Sequence, residues 1–519
     1  MKLLRALVFA AAFAALFAIL TACKPVQMPA VSEPIETTVL TTESLTEPVV
    51  PTIRLFGVEY SPDITELKLK TIPSYDELLS ALSEFPLLTS VDLGEYELNV
   101  KQMQEFHDKY PDTTLQCIAY TETFNRKVYL DATELNTDDF SSEEFRAVAQ
   151  LLPNLTTVRS ETKIPLDEKE QLLRDYPDIT FQITGTLDVF GVTVDDTEET
   201  LDLTDAAVDH TLPDMLKMLP ALKTVILYGS GLNIEIQYAL CKQFPDIEFR
   251  WTVDVAGQTY DGDAEELDLS GTDVTFDTLL KVLTIMKHLK HLDASDCAAT
   301  NGELALLKDL FPNVKLVWKI YMGKWSLKTD VTAFSVLIMR FDYTRMTSED
   351  IEVLKYCTDL QALDIGHQAI TDVSVIGDYL PNLRVLILAD NSISDITPLA
   401  KLKHLHYVEL FMNPVQDISP LGECKELVDI NVSWTKTNSA AGILELPLLE
   451  RLWIQHTYTP GKDIQTLRDT YPNATVMTAG EGSTDQGWRT HARYYAMKDM
   501  YNKQNYISEQ FTKYDSDGL

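Results

Sequence analysis

The chain has little that could staple it, span a bilayer or bind a polyanion. It holds six cysteines in 519 residues, and none lies in a CxxC pair. Apart from Cys23 they are Cys117, Cys241, Cys297, Cys357 and Cys424, an odd and scattered set. That excludes a disulfide framework or a zinc site as the organising device. Small, apolar core filling is the role expected of them, Cys424 above all. The apolar run Ala6 to Leu20 is fifteen residues long, short of the roughly 20 a membrane-spanning helix needs. Positive charge is scarce: 43 Lys and Arg stand against 79 Asp and Glu, a net charge of −36. So acidic a surface repels phosphate backbones, which excludes nucleic acid as a partner.

Catalytic signatures are missing as well. No GxSxG, HExxH, GxGxxG or phosphate-loop pattern occurs. His288 with His291, and His404 with His406, lack a third ligand at metal spacing. Asp515, Asp517 and Gly518 lack the glutamate that closes a calcium loop. No metal and no cofactor is expected. Acid pairs suited to glycoside hydrolysis arise by chance in so acidic a chain. Asp202, Asp268, Asp293 and Asp364 occupy outward positions of strand-like xLDL segments. They read as a solvated acid row, with diffuse cation binding as the alternative.

What is present begins at the N-terminus. Lys2 and Arg5 precede the apolar run, and Leu20-Thr21-Ala22-Cys23 follows it. A charged start, a short apolar stretch and small residues before a cleavage point make a secretory signal over residues 1–22. The LTAC sequence resembles the bacterial lipobox, which implies cleavage before Cys23 and its lipidation. An ordinary signal peptide and a retained membrane helix are the alternatives. Without residues 1–22 the net charge becomes −38, since Lys2 and Arg5 leave and no acid does. Residues 23–52 carry Pro25, Pro29, Pro34, Pro48 and Pro51 among Thr, Val and Glu, a semi-rigid tether.

The strongest pattern lies between Leu360 and Ile454. Copies open at Leu360, Leu383, Leu405, Leu427 and Leu449, spaced by 23 and then by 22 residues. Within a copy, LxxLxL alternates apolar side chains inward. Asn391 and Asn413 stand where the strand bends, placed to satisfy backbone groups left unpaired. Asp395 to Leu399 and Asp417 to Leu421 return the chain in a proline turn. One copy cannot bury its leucines; stacked copies form a continuous core and a parallel sheet. The stretch resembles the bacterial leucine-rich-repeat family, in particular the 22-residue coils of internalin-like surface proteins. Thr435 and Thr457 replace the asparagine in the later copies, which predicts irregular coils there.

Residues 53–359 carry a longer repeat. Leu88, Leu155, Leu222 and Leu289 open similar segments 67 residues apart. Tyr110-Pro111, Tyr176-Pro177, Phe244-Pro245 and Phe311-Pro312 form a second ladder, and Gly191, Gly257 and Gly323 a third. A unit of about three coils follows, with helices near Tyr75–Phe85 and Val100–Tyr110 between strands. The alternating Phe249, Trp251, Val253 and Val255 before Gly257 fit either a third coil or a projecting hairpin. Tyr471-Pro472-Asn473 repeats the second ladder and carries the solenoid to about residue 480. The expected class is therefore α/β: a leucine-rich-repeat solenoid with a curved parallel sheet, and helices and turns on the convex side.

Residues 481–519 break the repeat and are rich in aromatics, among them Trp488, Tyr494, Tyr495, Tyr501, Tyr506, Phe511 and Tyr514. A helix covering the open end of the solenoid is expected; a docking segment and disorder are the alternatives.

The outward positions of the 360–480 coils fall into rows. These are Val385, Tyr407, Asp429, Arg451; then Ile387, Glu409, Asn431, Trp453; then Ala389, Phe411, Ser433, Gln455. Tyr407, Phe411 and Trp453 with Ile387 form an aromatic cluster where a solvated face would be polar, and such clusters mark interaction sites. The candidate ligand-binding set is Ile387, Tyr407, Glu409, Phe411, Asp429, Asn431, Arg451 and Trp453. The alternative is that the C-terminal helix folds back and covers these aromatics. The functional expectation, partly implied by the resemblance, is a non-enzymatic surface protein. It would sit lipid-anchored at Cys23 on the extracellular face of a bacterial cell membrane and bind a protein or other macromolecule on its concave face. The rivals are an envelope enzyme, a hydrolase with the repeats as scaffold, and a structural spacer.

Overall fold

A computed structural model describes residues 52–336 and 344–508. The signal segment, Cys23, most of the tether, Phe511, Tyr514 and the Asp515–Gly518 pattern lie outside the described residues. Among the described residues no helix is long and apolar enough to cross a membrane. The chain divides into two compact units, one of residues up to 132 with 147–153, the other of 133–146 with 154–519.

In the first unit a hairpin, Ile53–Leu55 with Val58–Tyr60, turns at Phe56 and Gly57. Three parallel strands follow, Glu66–Lys68, Ser90–Asn99 and Thr114–Thr121, and Arg126–Tyr129 pairs antiparallel to the third. Helix Tyr75–Ala81 starts at Ser74, whose hydroxyl accepts the Glu77 N–H. It continues as a tight turn, Leu82–Glu84, and buries Leu78, Leu79 and Leu82 along one face. Helix Val100–Lys109 opens with a reciprocal Asn99–Gln102 cap, which satisfies two otherwise orphaned backbone donors.

The second unit resolves the choice between coil and hairpin, because both exist in sequence. Strands Thr200–Asp202, Thr224–Ile226 and Glu248–Arg250 pair in parallel, and then Thr252–Val255 and Gln258–Asp261 form an antiparallel hairpin. The same module recurs with strands Glu266–Asp268, His291–Asp293 and Lys315–Val317 before the hairpin Lys319–Met322 and Trp325–Lys328. An earlier copy ends in the hairpin Gly185–Val189 and Val192–Asp195. Phe249 and Trp251 stack with ring centroids 4.9 Å apart where strand passes into hairpin. The tips turn left-handed, at Phe190-Gly191 and Ala256-Gly257, where the second position suits a residue without Cβ.

Seven parallel strands close the unit: Ala333–Ser335, Ala362–Asp364, Val385–Ile387, Tyr407–Glu409, Asp429–Asn431, Arg451–Trp453 and Thr475–Met477. The sheet thus begins at Ala333, before residue 360 where the 22-residue pattern starts. Inside it Leu363, Leu386, Val408, Ile430 and Leu452 are fully buried in one continuous apolar core. The conserved geometry of each coil follows from its side chains. Asn413 Oδ1 accepts the Ile393 N–H at 3.0 Å, and Nδ2 donates to the carbonyls of Leu388 and Leu410. Asn391 bonds Ile370, Ile365 and Leu388 in the same way. Asp395 and Asp417 accept the backbone N–H two residues on, each at 2.8 Å, starting the tight turns Thr397–Lys401 and Ser419–Glu423. In the later copies Thr435 reaches only the Val432 carbonyl and Thr437.

The five described cysteines are free, and four of them are buried. Burial pushes the thiols of Cys117 and Cys357 up to about 12.

Candidate functional site

The strand register sets the outward rows. Val385, Tyr407, Asp429 and Arg451 are successive partners across the sheet, as are Ile387, Glu409, Asn431 and Trp453. Their exposure differs from the expectation. Ile387, Tyr407, Glu409, Phe411, Asp429, Asn431, Arg451 and Trp453 are all buried. The physical reason is the C-terminal segment. It does not cap the open end of the coils; it folds back across the outward face, from the seventh strand to the first. The face and the segment share a second apolar cluster, separate from the leucine core, that joins Val385, Ile387, Tyr407, Phe411 and Trp453 to Trp488, Met497, Met500, Tyr501 and Tyr506. Alanine at Tyr407, Phe411 and Trp453 would therefore strip the seat of the segment rather than alter a free surface.

The segment is laid down in three steps. First, a turn over residues 480–487 is knotted by Asp485, whose Oδ2 accepts the N–H groups of Glu481 and Gly482, both at 2.9 Å. Those donors hold the Asp485 carboxyl below its ordinary range. The sheet grips this turn through Asn431 Nδ2 to the Ser483 carbonyl at 2.9 Å and Trp453 Nε1 to the Asp485 carbonyl at 3.0 Å. Second, Gly487 at φ +98° swings the chain so that Trp488 drops onto the face. Its ring lies 5.3 Å from Tyr407 and 5.0 Å from Trp453, and the Arg451 guanidinium sits 4.6 Å from its centroid. Its Nε1 donates to Glu409 Oε1 at 2.8 Å, and Arg489 Nη2 donates to Glu409 Oε2 at 2.6 Å. The Tyr407 hydroxyl also donates to Glu409. Third, His491 Nδ1 accepts the Arg493 N–H and opens helix Ala492–Lys503. Left-handed Gln504 ends that helix, and the Tyr506 N–H reaches Thr332 Oγ1 at 2.7 Å beside the first strand.

Charge is concentrated beneath the helix. Arg493, 1% exposed, bonds Asp429 Oδ1 at 3.0 Å and Glu450 Oε2 at 2.5 Å. Arg451 forks onto the same Asp429 through Nε and Nη2. Buried charges persist only when paired in this manner, because desolvation otherwise costs several kcal/mol per ion. Among the described residues no cation pairs with Asp364 in this way. It accepts the Gly366 N–H and the Ser335 hydroxyl, and burial, with Glu409 nearby, pushes its carboxyl up to about 7. The acid row is therefore not uniformly solvated. Asp202 and Asp268 are exposed, but Asp293 is covered by Lys328 at 2.5 Å and Asp364 is sealed.

The sequence rows brought the sheet residues together; the partners Trp488, Arg489 and Arg493 were missed as members of this site. Their signal was compositional: an indole and two guanidiniums inside an aromatic tail, matching acids on the sheet rows. His404 and His406 both pair with Glu426, at 3.1 and 3.2 Å. Among the described residues no three His, Cys, Asp or Glu side chains converge as a metal site. A polar hollow of about 320 Å³ is lined by Thr332, Asp359, Gln361, Asn382 and Arg384.

Residues 381–423 match the family model for leucine-rich repeats in two copies. No curated protein matches the chain. Among solved structures, an internalin of Listeria monocytogenes is 17% identical, covering 69% of this chain and 84% of its own, with a TM-score of 0.26. Internalin C2 of the same organism is 20% identical over 44% of this chain and 88% of its own, at 0.26. A leucine-rich-repeat protein of Leptospira interrogans is 14% identical over 79% and 93%, at 0.26. The leucine-rich-repeat character of the fold is carried by the coil geometry and by the family match.

Proposed function

We propose that this is an internalin-like binding protein, displayed on the extracellular face of a bacterial cell membrane and anchored by lipid on Cys23. It takes a protein ligand on the outward face of the strands between Val385 and Trp453. The observation that carries the reading is the make-up of that face. Tyr407, Phe411 and Trp453 surround Glu409, Asp429 and Arg451, the aromatic and guanidinium chemistry of a binding hot spot rather than of a solenoid core. In this reading the C-terminal segment holds the face until a ligand takes its place. In this reading the protein performs no catalytic step, and its acidity argues against nucleic acid as a partner. Two or three acyl chains on Cys23 suffice for stable attachment.

The test has two arms. Cys23→Ser should release the protein or leave it unprocessed; a processed variant still in the membrane fraction would sink the anchor. Capture from envelope and host-surface fractions should strengthen when Arg489→Glu and Arg493→Glu loosen the segment, and should fail when Trp453→Ala is added. Capture indifferent to Trp453 would move the ligand off this face.

A further inference from the structure

The segment on the sheet face shows what that face is built to hold, and also how poorly it holds it. Without the segment, the face is an aromatic trough with four carboxylates, Asp364, Glu409, Asp429 and Glu450, beside the guanidinium of Arg451, while Arg384 in the row of Glu450 is paired with Glu426. Such a trough attracts a basic polypeptide. The segment answers with an indole, a guanidinium next to it, and a second guanidinium four residues on: Trp488, Arg489 and Arg493. Each finds a carboxylate oxygen, at 2.8, 2.6 and 3.0 Å.

The fit is incomplete. Arg451 Nη1 and Gln455 Oε1 on the face, and the Tyr501 hydroxyl on the segment, have no hydrogen-bond partner among the described residues. All three side chains are buried, at 7%, 0% and 7% exposure. A buried polar atom left unpaired forfeits its hydration without return. Departure of the segment would hand Tyr501 back to water. A ligand that offers an acceptor to Arg451 and a donor to Gln455 would bind better than the resident.

Resting on the binding role proposed above, we propose that residues 481–506 are a displaceable resident of a peptide groove. The groove's partner is a basic polypeptide segment that presents an indole beside a guanidinium, with a second guanidinium one helical turn further on. The resident lowers the apparent affinity for that partner by the fraction of molecules in which the groove stands open.

The probe is a fluorescent synthetic peptide of residues 483–506 of this chain, added to the full-length protein. Its anisotropy should show binding at least about tenfold tighter to the Arg489→Glu, Arg493→Glu double variant than to the unaltered protein. A probe with Trp488→Ala should lose most of that affinity, and a probe with both arginines changed to glutamate should not bind. Hydrogen exchange supplies the second readout: in the double variant, amides of residues 481–506 should open while those of the strands from Val385 to Trp453 stay protected. The proposal is overturned if the strands open together with the segment, since the segment is then an integral layer. It is equally overturned if the groove opens and the probe does not bind, or if the Trp488→Ala probe binds as well as the original. A stable dimer by mass at the same concentration would assign the exchange to a second copy and overturn the external partner. Failure here alongside a capture that still depends on Trp453 would leave the binding role standing and remove only this ligand chemistry.

Discussion

The two faces of the seven-stranded sheet bury their side chains by opposite means. On one face Leu363, Leu386, Val408, Ile430 and Leu452 join one apolar cluster, and Asn391 and Asn413 serve backbone groups at the bend. On the other, Tyr407, Glu409, Asp429, Arg451 and Trp453 are as deeply buried but carry paired charges. The first face is non-directional: any coil with the same apolar spacing stacks on the next. The second is directional, since a shift of the covering segment by one residue would strand Arg493 away from Asp429. Apolar burial thus supplies the stability of the solenoid, whereas charge selects which segment may lie upon it and in what register.

That contrast can be broken first at the apolar face. Leu386→Ala removes a fully buried side chain where the stacked coils leave little freedom to collapse, and should cost about 2–5 kcal/mol. Urea unfolding should show the midpoint falling for the sheet as a whole. A loss confined to residues 481–506 would contradict the division of labour between the faces.

On the polar face, Arg493→Met takes one of two cations from Asp429 and the cation from Glu450. Removing one partner of a buried ion pair costs about 3 kcal/mol or more. The loss should appear as faster hydrogen exchange in helix Ala492–Lys503, with the leucine strands unmoved. Unaltered protection of that helix would show that the aromatic contacts hold it alone.

A smaller effect belongs to the bend. Asn413→Ala orphans the Ile393 N–H and the Leu410 carbonyl, while the Leu388 carbonyl keeps Asn391, at about 1–3 kcal/mol for the buried donor. Asn413→Thr should recover part of it, as Thr435 still serves one carbonyl in the next coil. Equal stability of the alanine and threonine variants would sink that account.

The last effect is one of pH. The Asp364 carboxyl titrates near 3.8 when unfolded and at about 7 in the fold, chiefly through burial. Folding therefore takes up a proton between those values. Stability conferred at this site falls as pH rises from about 4 to 7 and is level above. Asp364→Asn keeps an acceptor for the Gly366 N–H and offers its amide N–H to the Ser335 hydroxyl oxygen, and it should flatten that slope. Urea midpoints at pH 5 and pH 7.5 that differ as much in the variant as in the unaltered protein would place the proton elsewhere.

The legible parts of the chain are those whose reason is local. Leu383, Leu386 and Leu388 announce their coil because spacing alone decides which side chains face inward. The stretch from Phe249 to Gly257 was half legible. Phe249 and Trp251 alternate in both a coil strand and a hairpin, and only the pairing of Thr252–Val255 with Gln258–Asp261 shows that one passes into the other. Asp293 and Asp364 sit at the same outward position as the exposed Asp202. What covers them, Lys328 in one case and the environment beneath the C-terminal segment in the other, comes from 35 residues away or more.

By itself the sequence determined the coil, its register across Val385, Tyr407, Asp429 and Arg451, and the capping role of Asn391 and Asn413. Each of these follows from alternation along a strand and from repetition at a constant step. Only the tertiary structure decided that the aromatic rows are closed rather than open. Whether Trp488 lies on Tyr407 and Trp453 depends on the turn at Gly487 and on Arg489 and Arg493 finding Glu409 and Asp429. Those contacts join residues 64 to 80 positions apart. No local period encodes them, because they arise from pairing charge across a buried surface and not from the spacing of apolar side chains along the chain.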